Sequence, residues 1–116
     1  MNHVPKPNIL FLLSDEHSFR FFSHLSDSEG GEPVETPHLD RLAAQSAHFT
    51  NAYCQMPLCT PSRLCLLTGK EVRGAGAWKN DSILAPELAT LPGTLRTAGY
   101  ETCLVGKMHL GGSRQY

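Results

Sequence analysis

Three short polar clusters carry the side chains that could do chemistry. Asp15-Glu16-His17 offers two carboxylates and an imidazole in a row. Cys59-Thr60-Pro61-Ser62-Arg63 sets a thiol one helical turn before a guanidinium. Lys107 and His109 put an ammonium and an imidazole two residues apart. Carboxylate oxygens suit a hard divalent cation, which takes oxygen ligands. Fixed cations and the exposed N–H groups of a helix N-terminus suit an oxyanion such as sulfate or phosphate. A thiol at a helix start beside an arginine is where a reactive sulfur is expected. Each group also has a plain reading. Asp15 can cap a turn after a strand, and Glu16 can be its solvated neighbour. His17, His24, His38 and His48 can be ordinary surface imidazoles. Lys70 and Arg73 can be surface charges, Cys59 a structural thiol, and Lys107 and His109 the end of a strand.

The elements needed to position these clusters are legible in outline. "NILFLLS", residues 8–14, is a nearly continuous apolar run of the kind buried on both faces of a parallel sheet. Residues 18–35, rich in Ser, Gly, Glu and Asp, read as a loop. "TPHLDRLAAQSA" opens a helix, with Thr36 as cap and Pro37 in its first turn. Leu39, Leu42, Ala43 and Ser46 then share one helical face. "HFTNAYC", residues 48–54, alternates and predicts a second strand. "TPSRLCLLTG" predicts a second helix, capped by Thr60, with Pro61 first and Gly69 as its stop. Residues 70–90 look irregular. "LPGTLRTAG" predicts a short helix closed by Gly99, and "YETCLVG", residues 100–106, a third strand.

That alternation argues for α/β architecture, with a parallel or mixed sheet flanked by helices. In such sheets, reactive groups gather beyond the carboxyl ends of the strands. Each polar cluster follows a predicted strand, so parallel neighbours would bring all three to one rim. Three strands make a narrow sheet with open edges, and no helix follows the third. The expectation is therefore one domain portion, residues 1–116, forming the N-terminal part of a larger catalytic domain.

The bulk numbers exclude several classes. Ten Lys and Arg against eleven Asp and Glu give a net charge of −1, so no basic footprint points to nucleic acid. The apolar run at residues 9–13 is too short to span a bilayer, and no membrane partner is expected. No cleavage pattern follows it, which favours a cytoplasmic location. Four cysteines without an export signal argue against a disulfide scaffold. Cys54 and Cys59 lack the downstream pair that a zinc site would need. Cys65 and Cys103 sit in apolar runs and read as buried thiols.

The clusters then assemble into a resemblance. "CTPSRLCLLTG" resembles the first sulfatase signature, Cys-x-Pro-Ser-Arg followed by Leu-Thr-Gly. "GYETCLVGKMHLG" resembles the second, Gly-Tyr-x-Thr followed by Gly-Lys-x-His. "TPHLDRLAAQSAHFTNAYC" is similar to the helix and strand before the first signature, and "PNILFLLSDEH" to the opening metal-binding strand. The match runs in order along nearly the whole chain. The resemblance implies an alkaline-phosphatase-like fold and hydrolysis of a small-molecule or carbohydrate sulfate ester. It implies that Cys59 is the precursor of Cα-formylglycine, made by a separate maturation enzyme that recognises the Cys-x-Pro-x-Arg core. It further implies a divalent cation, Ca²⁺ foremost, held by Asp15, with Glu16 and the oxygen at position 59 as further ligands. Arg63 would hold the formylglycine, Lys107 would neutralise the sulfate oxygens, and His109 would orient the nucleophile or assist its deprotonation.

Many relatives have two aspartates after the first strand; here the second is Glu16, one methylene longer. Further metal ligands and a second His and Lys are expected downstream of Tyr116, so this piece alone is expected to be inactive. "YCQMPLCTPSR" with "GKMH" looks closest to choline-sulfatase-like members. Two alternatives stand beside a sulfatase. One is a phosphonate monoester or phosphodiester hydrolase on the same scaffold. The other is a truncated product without catalysis.

Overall fold

The structure, a computed structural model, describes residues 6–25 and 27–111. It falls into two compact units that divide between Thr50 and Asn51.

The first unit contains a 3₁₀ turn at Asp27–Glu29 and one helix, α1, Pro37–Ala44. α1 begins where the Thr36-Pro37 pair predicts, since proline fixes a helical φ at a position whose N–H has no partner anyway. The Thr36 hydroxyl does not cap its own helix. It donates to the Asp40 carboxylate at 3.2 Å and accepts the Ser23 N–H at 2.9 Å. Ser23 Oγ in turn donates to Asp40 and accepts the Thr36 N–H. His24 Nδ1 lies 3.3 Å from the same carboxylate. These bonds tie the 23–24 turn to the start of α1. The Ser23 hydroxyl, opposed by desolvation and helped by His24 and Thr36, holds the Asp40 carboxyl below its ordinary value. A second clasp is built by Arg20. It pairs with Glu32 at 2.9 Å and donates to the Gly30 carbonyl. Leu39 of α1 joins Leu12, Leu13, Ser14, His17 and Phe22 around a cleft of about 350 Å³. No described residue of this unit is buried.

The second unit holds α2, Cys59–Thr68, α3, Val72–Ala75, and α4, Leu91–Thr97. α2 lies against both α3 and α4. Its inner face is the core: Leu64 and Cys65 meet Ala75 and Ala77, with Val72, Leu84 and Leu110 packed around them. Burying a leucine such as Leu64 completely stabilises the fold by roughly 1.5–3 kcal/mol. α2 stops at Gly69, whose φ of 65° is left-handed and whose N–H reaches the Cys65 carbonyl at 2.9 Å. α4 starts with the Thr90 side chain accepting the Gly93 N–H and ends with Gly99 and Tyr100 donating back to Arg96 and Leu95. The composition of residues 70–90 hides α3, because four residues are too short to show a helical period.

The three expected strands do not form: among the described residues there is no β-structure. Residues 8–14, 48–54 and 100–105 carry no regular element. A strand exists only when its N–H and C=O groups meet those of a neighbour, and these segments find no such ladder in the described residues. Their apolar side chains remain outside, with Leu10, Tyr53 and Val105 each at least 81% exposed. Cys103, expected to be buried, is exposed for the same reason, as is Cys54. Among the described residues, no helix is long and apolar enough to cross a membrane.

Candidate active site

Cys59 is the first residue of α2, two places earlier than Thr60 as a cap would put it; Leu58 precedes the helix instead. The reason is the use of Thr60. It is fully buried, its hydroxyl donates to the Asn80 carbonyl at 2.9 Å, and its N–H donates to Asn80 Oδ1 at 3.1 Å. The early N–H groups of a helix lack intrahelical acceptors, and Asn80 supplies one from a distant turn. Pro61, also buried, fits because the first turn needs no donor there.

Arg63 follows Cys59 by one turn, so the two side chains project from the same face. Its Nη1 donates to the main-chain carbonyl of Lys107 at 2.8 Å. The Lys107 ammonium comes back over the helix start, with Nζ 3.9 Å from Cys59 Sγ. Side chains 44 and 48 residues apart in sequence thus form one cluster. His109 stands at the end of the same segment with a φ of 48°. A left-handed non-glycine residue costs roughly 1–3 kcal/mol and persists only where its surroundings hold it. Its Nδ1 is buried and has no hydrogen-bond partner among the described residues. A buried nitrogen left in that state is costly, and a polar group set beside it would be bound.

Of the three clusters expected to share one rim, the second and third therefore meet. Asp15 and Glu16 belong to the first unit. Glu16 has a φ of 56°, a turn conformation that aims its carboxylate differently from an extended residue. A Ca²⁺ ion takes six to eight oxygens. Among the described residues, no three His, Cys, Asp or Glu side chains converge as a metal-binding group. The described residues thus do not make a Ca²⁺ donor set by themselves, and no chemical step below depends on a metal. All four cysteines are free thiols. Burial among apolar neighbours raises the Cys65 thiol pKa.

Sequence reasoning missed Asn80. "WKNDS", residues 78–82, has turn composition, but no sequence signal says which helix the turn will touch.

The Sulfatase family matches residues 7–116 of this chain. An N-acetylglucosamine-6-O-sulfatase of Bacteroides thetaiotaomicron is 38% identical over 105 residues, covering 90% of this chain and 18% of the relative. An N-acetylgalactosamine-6-O-sulfatase of the same organism is 40% identical, covering 91% of this chain and 21% of the relative. A solved structure of BT4656 in complex with its substrate D-glucosamine-2-N,6-O-disulfate superposes with a TM-score of 0.68 at 38% identity. It covers 78% of this chain and 18% of that one. The chain belongs to the sulfatase family. It spans only about a fifth of the length of the curated relatives it matches.

Proposed function

We propose that this chain carries the reactive end of a sulfuric ester hydrolase whose substrate is a sulfated carbohydrate. The observation that supports it most directly is the Cys59–Arg63–Lys107 cluster, which joins a helix start, a guanidinium and an ammonium around position 59. Cleaving a sulfate ester needs an oxygen nucleophile next to fixed positive charge, because negative charge grows on oxygen as the S–O bond breaks. The residues at position 59 fit conversion to Cα-formylglycine. A lysine ammonium lies beside Sγ, and the nearby His109 segment carries a buried nitrogen with no hydrogen-bond partner among the described residues. That group, formed by a maturation enzyme, supplies a nucleophilic oxygen and a route for releasing sulfate.

The chain's own residues do the rest. Arg63 holds the Lys107 main chain and keeps its cation over the helix start. Lys107 binds and neutralises the sulfate oxygens. His109 offers its Nδ1 to the nucleophile or to substrate. Asp15, with Glu16 beside it, would contribute carboxylate oxygen to a divalent cation, which would supply charge neutralisation for an anionic substrate. The carbohydrate reading follows relatives named for 6-O-sulfated amino sugars, and choline sulfate is the small-molecule alternative.

Mass spectrometry of the tryptic peptide 42–63, from protein made in its native host, tests the first step. Formylglycine at position 59 is expected, and an unmodified thiol overturns the proposed nucleophile. Hydrolysis of a 6-O-sulfated amino sugar, choline sulfate and an aryl phosphonate by the same protein tests the second. Faster phosphonate cleavage would replace the sulfatase reading. Lys107→Ala is expected to cost about 10²–10³ in kcat on the sulfate ester, the usual loss when a group that stabilises developing charge is removed.

A further inference from the structure

We propose that the turn at residues 78–84 is the bracket that sets the two reactive segments in register, and that Asn80 at its tip is the positioning residue for Cys59. The turn is itself firmly built. Ser82 Oγ accepts the N–H groups of Trp78 and Lys79, both at 3.1 Å, and the Ser82 N–H returns to the Lys79 carbonyl at 3.0 Å. Lys79 and Asp81 pair across it at 2.9 Å. This geometry presents Asn80 with two acceptors facing the same way. Its side-chain Oδ1 takes the Thr60 N–H and its main-chain carbonyl takes the Thr60 hydroxyl. A two-point attachment fixes direction as well as distance, and Thr60 is fully buried beneath it. Cys59 is the adjacent residue, so its place at the helix start follows from this clasp.

The far end of the same turn grips the other segment. Leu84 N–H donates to the Leu110 carbonyl at 3.3 Å. Gly111 lies so close that a Cβ there would stand 2.0 Å from the Ser82 carbonyl oxygen, so only glycine fits. Lys107 and His109 therefore leave a segment moored to residues 82–84, while Cys59 leaves a helix moored to residue 80. The Arg63–Lys107 bond closes the loop from the opposite side. A segment that composition marks as irregular thus joins the two motifs that carry the chemistry.

This role rests on the reading of position 59 as the reacting residue, but its test does not require turnover. Amide hydrogen exchange and iodoacetamide labelling of the chain, followed by peptide and residue, read it directly. In the unsubstituted chain the Thr60 amide should be protected, because Asn80 accepts it; exchange at the rate of an unstructured amide overturns the proposal, whatever any variant does. Asn80→Ala should speed Thr60 exchange about tenfold, the factor one such bond is worth, and change the Cys59 labelling rate relative to Cys103. Leu64 exchange and Cys65 protection should hold. Asn80→Asp, which keeps an acceptor oxygen, should restore both readouts. An unchanged Thr60 amide and Cys59 rate in Asn80→Ala, failure of the Asp variant to recover, or Cys65 opening in step with Cys59 would each overturn it. If positioning is observed but formylglycine and sulfate hydrolysis are not, only the functional reading falls.

Discussion

The two units of this chain hold themselves together by different means. The second is organised around buried apolar atoms: Leu64, Cys65, Ala75 and Ala77 shut off from solvent between α2 and its neighbours. The first has no buried residue among those described and relies on polar clasps, Ser23–Thr36–Asp40 and Arg20–Glu32. Apolar burial involves no titrating group and no charge for salt to screen, and removing one side chain leaves a cavity. Exposed hydrogen bonds and ion pairs are worth less singly and depend on protonation and ionic strength. The Cys59–Lys107 cluster sits on the unit with the core, where rigid packing can hold reacting groups in place. The carboxylates Asp15 and Glu16 sit on the other.

The sharpest way to break this contrast is a core deletion. Leu64→Ala should cost the second unit about 2–5 kcal/mol, while Leu42→Ala, on an exposed face of α1, should stay within about 0.5 kcal/mol. Denaturant unfolding followed by hydrogen exchange in each unit measures both. Equal losses would erase the distinction. A smaller effect separates the thiols. Cys54 and Cys103 should label quickly, Cys59 more slowly, and Cys65 only after the second unit opens, because Cys65 is buried and its thiolate is disfavoured. Early labelling of Cys65 would mean that the core is not closed.

The smallest effect belongs to acid. Asp40 has a lowered pKa, so its contribution is present above the ordinary value of 3.8 and is lost as pH falls through the lowered one. Exchange of the Ser23 and Thr36 amides should accelerate in that range, ahead of amides in α2. In Ser23→Ala, which removes the first cause of the shift, the acceleration should begin at higher pH. A transition that coincides with loss of α2 would show one cooperative unit instead.

Local punctuation made the helices legible. Thr36-Pro37 marks the start of α1, Gly69 the end of α2, and Gly99 the close of α4, because proline and glycine act through backbone geometry within a residue or two. α2 starts two residues before the Thr60-Pro61 pair predicts. Thr60 has a capping side chain, but a partner 20 positions away claims it. The expected strands are absent from the described residues for a related reason. Apolar patterning at residues 8–14, 48–54 and 100–106 reports a willingness to be covered, whereas a sheet needs the backbone of a neighbour as well. In the site, residue types announce the two signature motifs, but the parallel strands expected to bring them together are absent from the described residues, and the two motifs meet through Arg63 and Lys107 instead. Neither the Arg63 bond to a main-chain carbonyl nor the Asn80 clasp could be read, since both depend on where the backbone of another segment lies.

The run at residues 9–13, Ile-Leu-Phe-Leu-Leu, lies at least half exposed throughout and in no ladder. A stretch of that kind is a template for stacking with copies of itself. It is flanked by Lys6 and Pro7 on one side and Asp15 and Glu16 on the other, the charges and proline that act as gatekeepers against such stacking. The two carboxylates then have a second consequence, for colloidal behaviour. A divalent cation that neutralised them would also remove the like-charge repulsion at one end of this exposed apolar run.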